Sequence, residues 1–248
     1  MPQPRESWYR LVGFGVSGMS EAEQAERLAV EKAREFFNRR AAFYDFAFFK
    51  LSPFMPVVRS LLVDRSLLTS DMKVLDAGTG TGLMTRVLYS LASEKGLSNI
   101  VFHAFDLTQA MLDVFQRWIR AEGAESAIST RVQDVLHLET LPQTWSDYDL
   151  IVTSTMLEYV PTASLPKAVS ALLGLLKPGG KMIWLLSGRT LAMRFFVGWL
   201  WQSNLYSKSE LDAVLAKAGA VNVEYLSLPR PYPTTKHLLV VEISVPEG

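Results

Sequence analysis

Val74-Leu75-Asp76-Ala77-Gly78-Thr79-Gly80-Thr81-Gly82 joins a short apolar run to a carboxylate and then to a turn with glycine at every second position. Small residues at Gly78, Gly80 and Gly82 let the main chain approach a ligand, and helix-compatible residues from Leu83 onward set the positive end of a helix behind the turn. A nucleotide-like ligand fits such a loop, although the loop alone does not name it. Neither the lysine nor the hydroxyl residue of an ATPase phosphate-binding loop follows Gly82, which argues against ATP hydrolysis, and the glycine spacing differs from the dinucleotide fingerprint. A second acid, Asp106, closes the next apolar run, Ile100-Val101-Phe102-His103-Ala104-Phe105, and so stands at the end of the following strand, placed to accept both hydroxyls of a ribose.

Composition frames that loop. A length of 248 residues suits one large core, and 49% hydrophobic with 20% charged residues can fill a buried sheet. Lys and Arg number 25, as do Asp and Glu, so no global field draws the chain to nucleic acid, though a local basic groove is compatible with that balance. With no cysteine there is no disulfide or thiolate nucleophile, and the three histidines show no zinc spacing, so no metal is expected. Residues 191–201 are strongly apolar, yet short for a bilayer span and interrupted by Arg194. Met1-Pro2-Gln3-Pro4-Arg5-Glu6 lacks the basic-then-apolar order of a secretory leader, so cytoplasmic residence is the expectation.

Hydrophobic periodicity organises the remainder. Ala25, Leu28, Ala29, Ala33, Phe36 and Phe37 recur at helical spacing, predicting an amphipathic helix over 21–37. The aromatic stretch 41–49 either roofs a pocket or anchors that helix, and Pro53 and Pro56 interrupt the chain after it. Residues 1–69 read as a helical cap packed on a core of residues 70–248, the two forming one folded unit. Strands are expected near 72–77, 100–105, 128–133, 148–153, 181–187, 221–226 and 236–243. Helices fall between them, including 162–176, stopped by Pro178-Gly179-Gly180, and 209–219. A twisted, mostly parallel α/β sheet follows.

With these motifs in order, the chain resembles the class I S-adenosylmethionine-dependent methyltransferase family over roughly residues 70–187. In that family an acid precedes a G-x-G-x-G turn after the first strand and a second acid ends the second strand, positions held here by Asp76 and Asp106. Arg131-Val132-Gln133-Asp134-Val135 matches the segment after the third strand, Asp147-Tyr148-Asp149-Leu150-Ile151-Val152-Thr153-Ser154 the fourth strand, and Leu175-Leu176-Lys177-Pro178-Gly179-Gly180-Lys181-Met182-Ile183 the helix, turn and fifth strand. The resemblance implies a Rossmann-like, mostly parallel seven-stranded sheet with an antiparallel last strand and helices on both faces. It implies S-adenosylmethionine as donor and S-adenosylhomocysteine as product. Gly78, Thr79, Gly80 and Gly82 would form the donor loop, oriented by Asp76. Asp106 would bind the ribose, Leu107 and Met111 border the adenine, Asp134 and Val135 lie at its amino edge, and Thr153 faces the donor.

The acceptor is less legible. Methyl transfer asks the protein for alignment and water exclusion, and for a base only where the acceptor must lose a proton. Glu158 and Tyr159, just beyond the fourth strand, are candidate catalytic residues and acceptor contacts, joined by Tyr44 from the cap. The alternatives are a solvated acid and core-packing rings. Small-molecule branches of the family often carry a histidine here, and this chain has Glu158-Tyr159 instead. His103 is expected buried and neutral, while His137 and His237 have no partner pattern. Tyr206 flanks the roof. Within a hydrophobic lid insertion near 188–206, Arg189 and Arg194 punctuate an aromatic and aliphatic surface. That surface reads as an internally packed lid, as a pocket lining for a hydrophobic molecule with a polar or anionic end, or as a peripheral membrane contact through residues 191–201. The leading expectation is methyl transfer to an oxygen or activated carbon of a hydrophobic or aromatic small molecule, for which ubiquinone- and menaquinone-pathway methyltransferases offer an analogy. Alternatives are a donor-binding assembly protein without turnover, or a methyltransferase acting on an amine, a lipid headgroup or nucleic acid. Oligomeric state stays open.

Overall fold

The computed structural model describes residues 20–41, 54–190, 203–228 and 237–247. Helix α1 (Glu21–Asn38) starts where Ser20 and Glu23 cap each other: the Ser20 hydroxyl accepts from the Glu23 N–H and the Glu23 carboxylate accepts from the Ser20 N–H. Helix α2 (Phe54–Asp64) precedes a regular alternation of β1 (Lys73–Ala77), α3 (Leu83–Glu94), β2 (Val101–Asp106), α4 (Gln109–Glu122) and β3 (Ile128–Val132). Then come β4 (Tyr148–Ser154), α5 (Leu165–Leu173), β5 (Leu176–Ser187), α6 (Lys208–Lys217), β6 (Val223–Tyr225) and β7 (Leu238–Ser244). Two 3-10 turns, Val135–Thr140 and Leu157–Tyr159, follow β3 and β4.

The seven strands of the described residues form one sheet in the order β3-β2-β1-β4-β5-β7-β6. Pairing is parallel from β3 through β5, whereas β7 runs antiparallel between β5 and β6. This is the Rossmann-like arrangement that the resemblance implied. Central strands buried on both faces need apolar side chains on both, which is why β1 and β4 read as near-continuous apolar runs. One face packs Val74, Leu150, Val152 and Ile183 against α2, α3 and α4 through Leu61, Leu88 and Phe115. The other packs Leu75, Ile151 and Trp184 against α5 and α6 through Leu172 and Leu211. Between β1 and β4 the strand order reverses direction, and at such a switch point the loops leaving the carboxyl ends diverge to open a crevice.

Two segments differ from expectation. Helix α5 covers only Leu165–Leu173 and is capped by Gly174, and Pro178-Gly179-Gly180 lies inside β5 rather than stopping a helix. Leu176 pairs with Tyr148 and pairing resumes at Lys181 with Leu150, so the glycine pair sits in a bulge. A Cβ on Gly180 would stand 2.7 Å from the Tyr148 carbonyl oxygen, a close approach that the bulge requires. Strand β6 is shorter than expected and largely exposed, as befits an edge. No described helix is long and apolar enough to cross a membrane. Tyr44 and residues 191–201 lie outside the described residues.

Candidate active site

The loop after β1 is knotted from below. Asp76 Oδ2 accepts from Thr79 Oγ1 (2.7 Å), Thr85 N (3.1 Å) and Thr85 Oγ1 (2.7 Å), tying the turn to the first turn of α3. Asp76 is 2% exposed. Burial pushes its carboxyl up to about 6 against the opposing pull of those hydrogen bonds. The Thr79 N–H donates to the Phe105 carbonyl, and Gly82 adopts φ +91° beneath Phe115, whose ring would stand 2.1 Å from any Cβ added there. Asp76, Thr79 and Gly82 therefore shape the loop from behind. They do not line the cavity described below.

The next two strands deliver their acids to the same edge. Asp106 accepts from Gly80 N (2.9 Å) through one oxygen and from Thr108 N and Oγ1 (2.9 and 2.8 Å) through the other, clamping the glycine loop to the start of α4. Burial raises its pKa, and these donors work against the rise. Asp134 accepts from Leu136 N (2.9 Å), and its second oxygen stands 3.6 Å from His137 Nδ1, a neighbour that the sequence pattern did not reveal. Gln133, between β3 and Asp134, holds the 3-10 turn by donating to the His137 carbonyl (2.7 Å) and Thr140 Oγ1 (2.8 Å).

These elements enclose a cavity at the carboxyl edge of the sheet. One end is formed by Gly78, Gly80, Asp106, Leu107, Met111, Asp134 and Val135. The other is apolar: Met156, Tyr159 and Val160 after β4, and Val30, Ala33 and Phe37 from α1. Gly78 has φ +70°, and a Cβ there would overlap the Met156 side chain at 2.1 Å, so the glycine opens the junction between the two ends. Tyr159 packs edge-to-face on Phe37 with ring centroids 4.7 Å apart. Gln133 and the α1 residues were not singled out from sequence as lining. The i, i+3, i+7 spacing of Val30, Ala33 and Phe37 was the available signal.

The remaining candidates sit elsewhere. Glu158 is fully buried behind Tyr159 rather than solvated: one carboxylate oxygen accepts from the Ser187 N–H, and the other is buried without a partner. Burial pushes it up to about 7. Its carbonyl accepts from Asn204 N (2.9 Å), so it joins the end of β5 to the segment before α6. Thr153 is fully buried, its hydroxyl unpartnered, and does not line the cavity. Tyr206 is buried with its hydroxyl 3.4 Å from Thr162 Oγ1. His103 stacks on Trp145 (4.3 Å) and contacts the Tyr148 hydroxyl (2.8 Å); burial, aided by Lys73, lowers its pKa to about 4 and keeps it neutral.

Comparison with known proteins agrees with this geometry. Residues 74–180 match a family described as a methyltransferase domain. A ubiquinone/menaquinone biosynthesis C-methyltransferase from Wigglesworthia glossinidia brevipalpis is 28% identical over 129 residues, covering 50% of this chain and 46% of that protein, so the match spans just under half the length of that curated relative. Among solved structures, a phosphoethanolamine N-methyltransferase 2 from Haemonchus contortus superposes with a TM-score of 0.67 at 16% identity, covering 87% of this chain and 60% of the other. The magnesium protoporphyrin IX methyltransferase of Synechocystis gives 0.61 at 17%, covering 88% and 99%. A possible exported protein from Bordetella parapertussis gives 0.63 at 14%, covering 94% and 100%. The sheet order, the glycine loop held between two strand-end acids, and the methyltransferase-domain match over residues 74–180 together make this chain similar to the class I S-adenosylmethionine-dependent methyltransferase superfamily.

Proposed function

We propose that the chain transfers a methyl group from S-adenosylmethionine to an oxygen or activated carbon of an apolar or aromatic small molecule. The observation that carries this reading is the division of one cavity into a polar strand-end half and an apolar half, with no Lys, Arg or His among its described lining residues. The donor suits the polar half. Gly78 and Gly80 leave room for its methionine portion, Asp106 has lone pairs to spare for the ribose hydroxyls, Leu107 and Met111 border the adenine, and Asp134 and Val135 stand at the adenine edge. When bound, the donor would supply an electrophilic methyl carbon to an acceptor oxygen or carbon that arrives deprotonated, the new bond replacing the carbon–sulfur bond and S-adenosylhomocysteine being the leaving product.

The protein's own contribution is alignment and exclusion of water. Met156, Tyr159, Val160 and Phe37 present an apolar wall where the acceptor meets the methyl group, and desolvation there favours attack by the acceptor over attack by water. Tyr159 is the candidate acceptor contact. Glu158, shut off from the cavity, acts as a positioning residue behind it, and Asp76 positions the loop. The analogy with quinone-pathway C-methyltransferases belongs to this proposal, as do a cytoplasmic location and peripheral membrane contact through residues 191–201.

The test is direct. The purified chain is titrated with S-adenosylhomocysteine by calorimetry, then incubated with methyl-labelled S-adenosylmethionine and a metabolite extract. Label is expected on an apolar small molecule at oxygen or carbon. Label found only on amines, protein or RNA would overturn the acceptor assignment, and absence of donor uptake at millimolar levels would overturn the donor assignment.

A further inference from the structure

On the far side of Tyr159 a second hollow runs along α1 between Ala29, Lys32 and Phe36 of the helix and Pro161, Thr162 and Asn204 opposite. It shares Ala33, Tyr159 and Pro161 with the first cavity, so the two adjoin at these residues. Helical geometry explains the division. Val30, Ala33 and Phe37 form the strip of α1 facing the first cavity, and Ala29, Lys32 and Phe36, each one residue earlier, form the neighbouring strip.

The two hollows differ in charge. Ionisable acids on the first are Asp106 and Asp134. The second has an apolar floor of Ala29, Ala33, Phe36 and Pro161 and one cation in its lining, Lys32, which is exposed and makes no ion pair among the described residues; beyond the lining, the Arg40 guanidinium lies 3.9 Å from the Phe36 ring centroid. Of the acids on the same helix, Glu31 pairs with Arg27 (3.2 Å), Glu26 accepts from the Ser164 hydroxyl, and Glu35 is exposed three residues beyond Lys32. An apolar floor whose one charged lining residue is an exposed lysine is complementary to an apolar molecule bearing a negative group.

We propose that this hollow is the outer half of the acceptor site and takes an elongated apolar molecule with an anionic group, its body on Phe36 and its charge at Lys32. The inference rests on the first cavity being the donor pocket. The reacting end of such a molecule passes Tyr159 toward the donor, while the charged end stays at the solvent-facing rim. Lys32 then determines specificity more than rate, because an exposed charge contributes modest affinity but rejects the opposite arrangement.

The experiment uses the full chain saturated with S-adenosylhomocysteine, titrated by fluorescence with 8-anilinonaphthalene-1-sulfonate and, separately, with the uncharged N-phenyl-1-naphthylamine. The sulfonate is expected to bind more tightly. Lys32→Glu should weaken it by about five- to tenfold, the scale of losing one exposed attraction and gaining one repulsion, and leave the uncharged probe within about twofold. Ala29→Trp, which fills the hollow, should weaken both probes. Both variants should retain wild-type affinity for S-adenosylhomocysteine. Probe affinities unmoved by either variant, or both probes weakened equally by Lys32→Glu, would overturn the inference alone. Failure of the wild-type chain to bind S-adenosylhomocysteine would overturn the donor reading and this inference with it.

Discussion

The loop after β1 and the 3-10 turn after β4 lie at the same edge of the sheet, yet they treat buried acids in opposite ways. Asp76 and Asp106 gather hydroxyl and backbone N–H donors from Thr79, Thr85, Gly80 and Thr108, so the glycine loop is held before any ligand arrives. Glu158, also buried, is held at one oxygen by Ser187, and its second oxygen has no partner. The contrast teaches where preorganisation is complete. The acids around the glycine loop are satisfied by the protein itself, whereas Glu158 keeps unsatisfied polar capacity at a cost in stability.

Substitutions can break or sharpen that contrast. The largest effect is expected for Gly82→Ala. Its left-handed backbone and the Phe115 ring 2.1 Å from any Cβ leave no room for relaxation, and a loss of about 3 kcal/mol or more should appear in chemical denaturation. A tolerated alanine would mean that the loop side is not rigidly packed.

Glu158→Gln should act in the reverse sense. The carboxyl's usual value of 4.5 is raised to about 7 in the fold, so the proton-linked stabilisation is fully present below about pH 4.5 and is lost as pH rises through about 7. The amide removes that loss, so the variant should be more stable than the parent by up to about 3 kcal/mol at pH 8 and gain little at pH 4.5, checked by melting across pH. A flat difference between parent and variant would show that burial of the charge is not the controlling term.

Asp106→Asn ranks next. It preserves shape but weakens acceptance from Gly80 and Thr108, and donor affinity should fall by about 1.5–3 kcal/mol in calorimetry with a smaller change in melting. Smallest is Tyr159→Phe, which retains the ring packed on Phe37 and should leave donor affinity within about twofold while lowering turnover of an acceptor that uses the hydroxyl.

Strands were legible where burial on both faces forces unbroken apolar runs, as in Val74-Leu75 and Leu150-Ile151-Val152, and the acids ending β1 and β2 were legible because a polar residue terminates each run. The bulge in β5 was not. Pro-Gly-Gly after a periodic segment carries the same local signal whether it ends a helix or kinks a strand, and only the approach of Tyr148 to Gly180 distinguishes them. Nor was the burial of Glu158 visible, because it depends on Ser187 and Asn204, 29 residues away for the first of them and set by tertiary packing in both cases. The apolar periodicity of α1 announced a helix but not that one of its strips would line a cavity.

The position of β7 has a consequence for how the molecule is made. Because the last strand inserts between β5 and β6, β6 has no partner and the outer edge of β5 stays open until residues 238–244 have been synthesised. Deletion of residues 238–244 would therefore uncover the outer edge of β5 and detach β6 from the sheet.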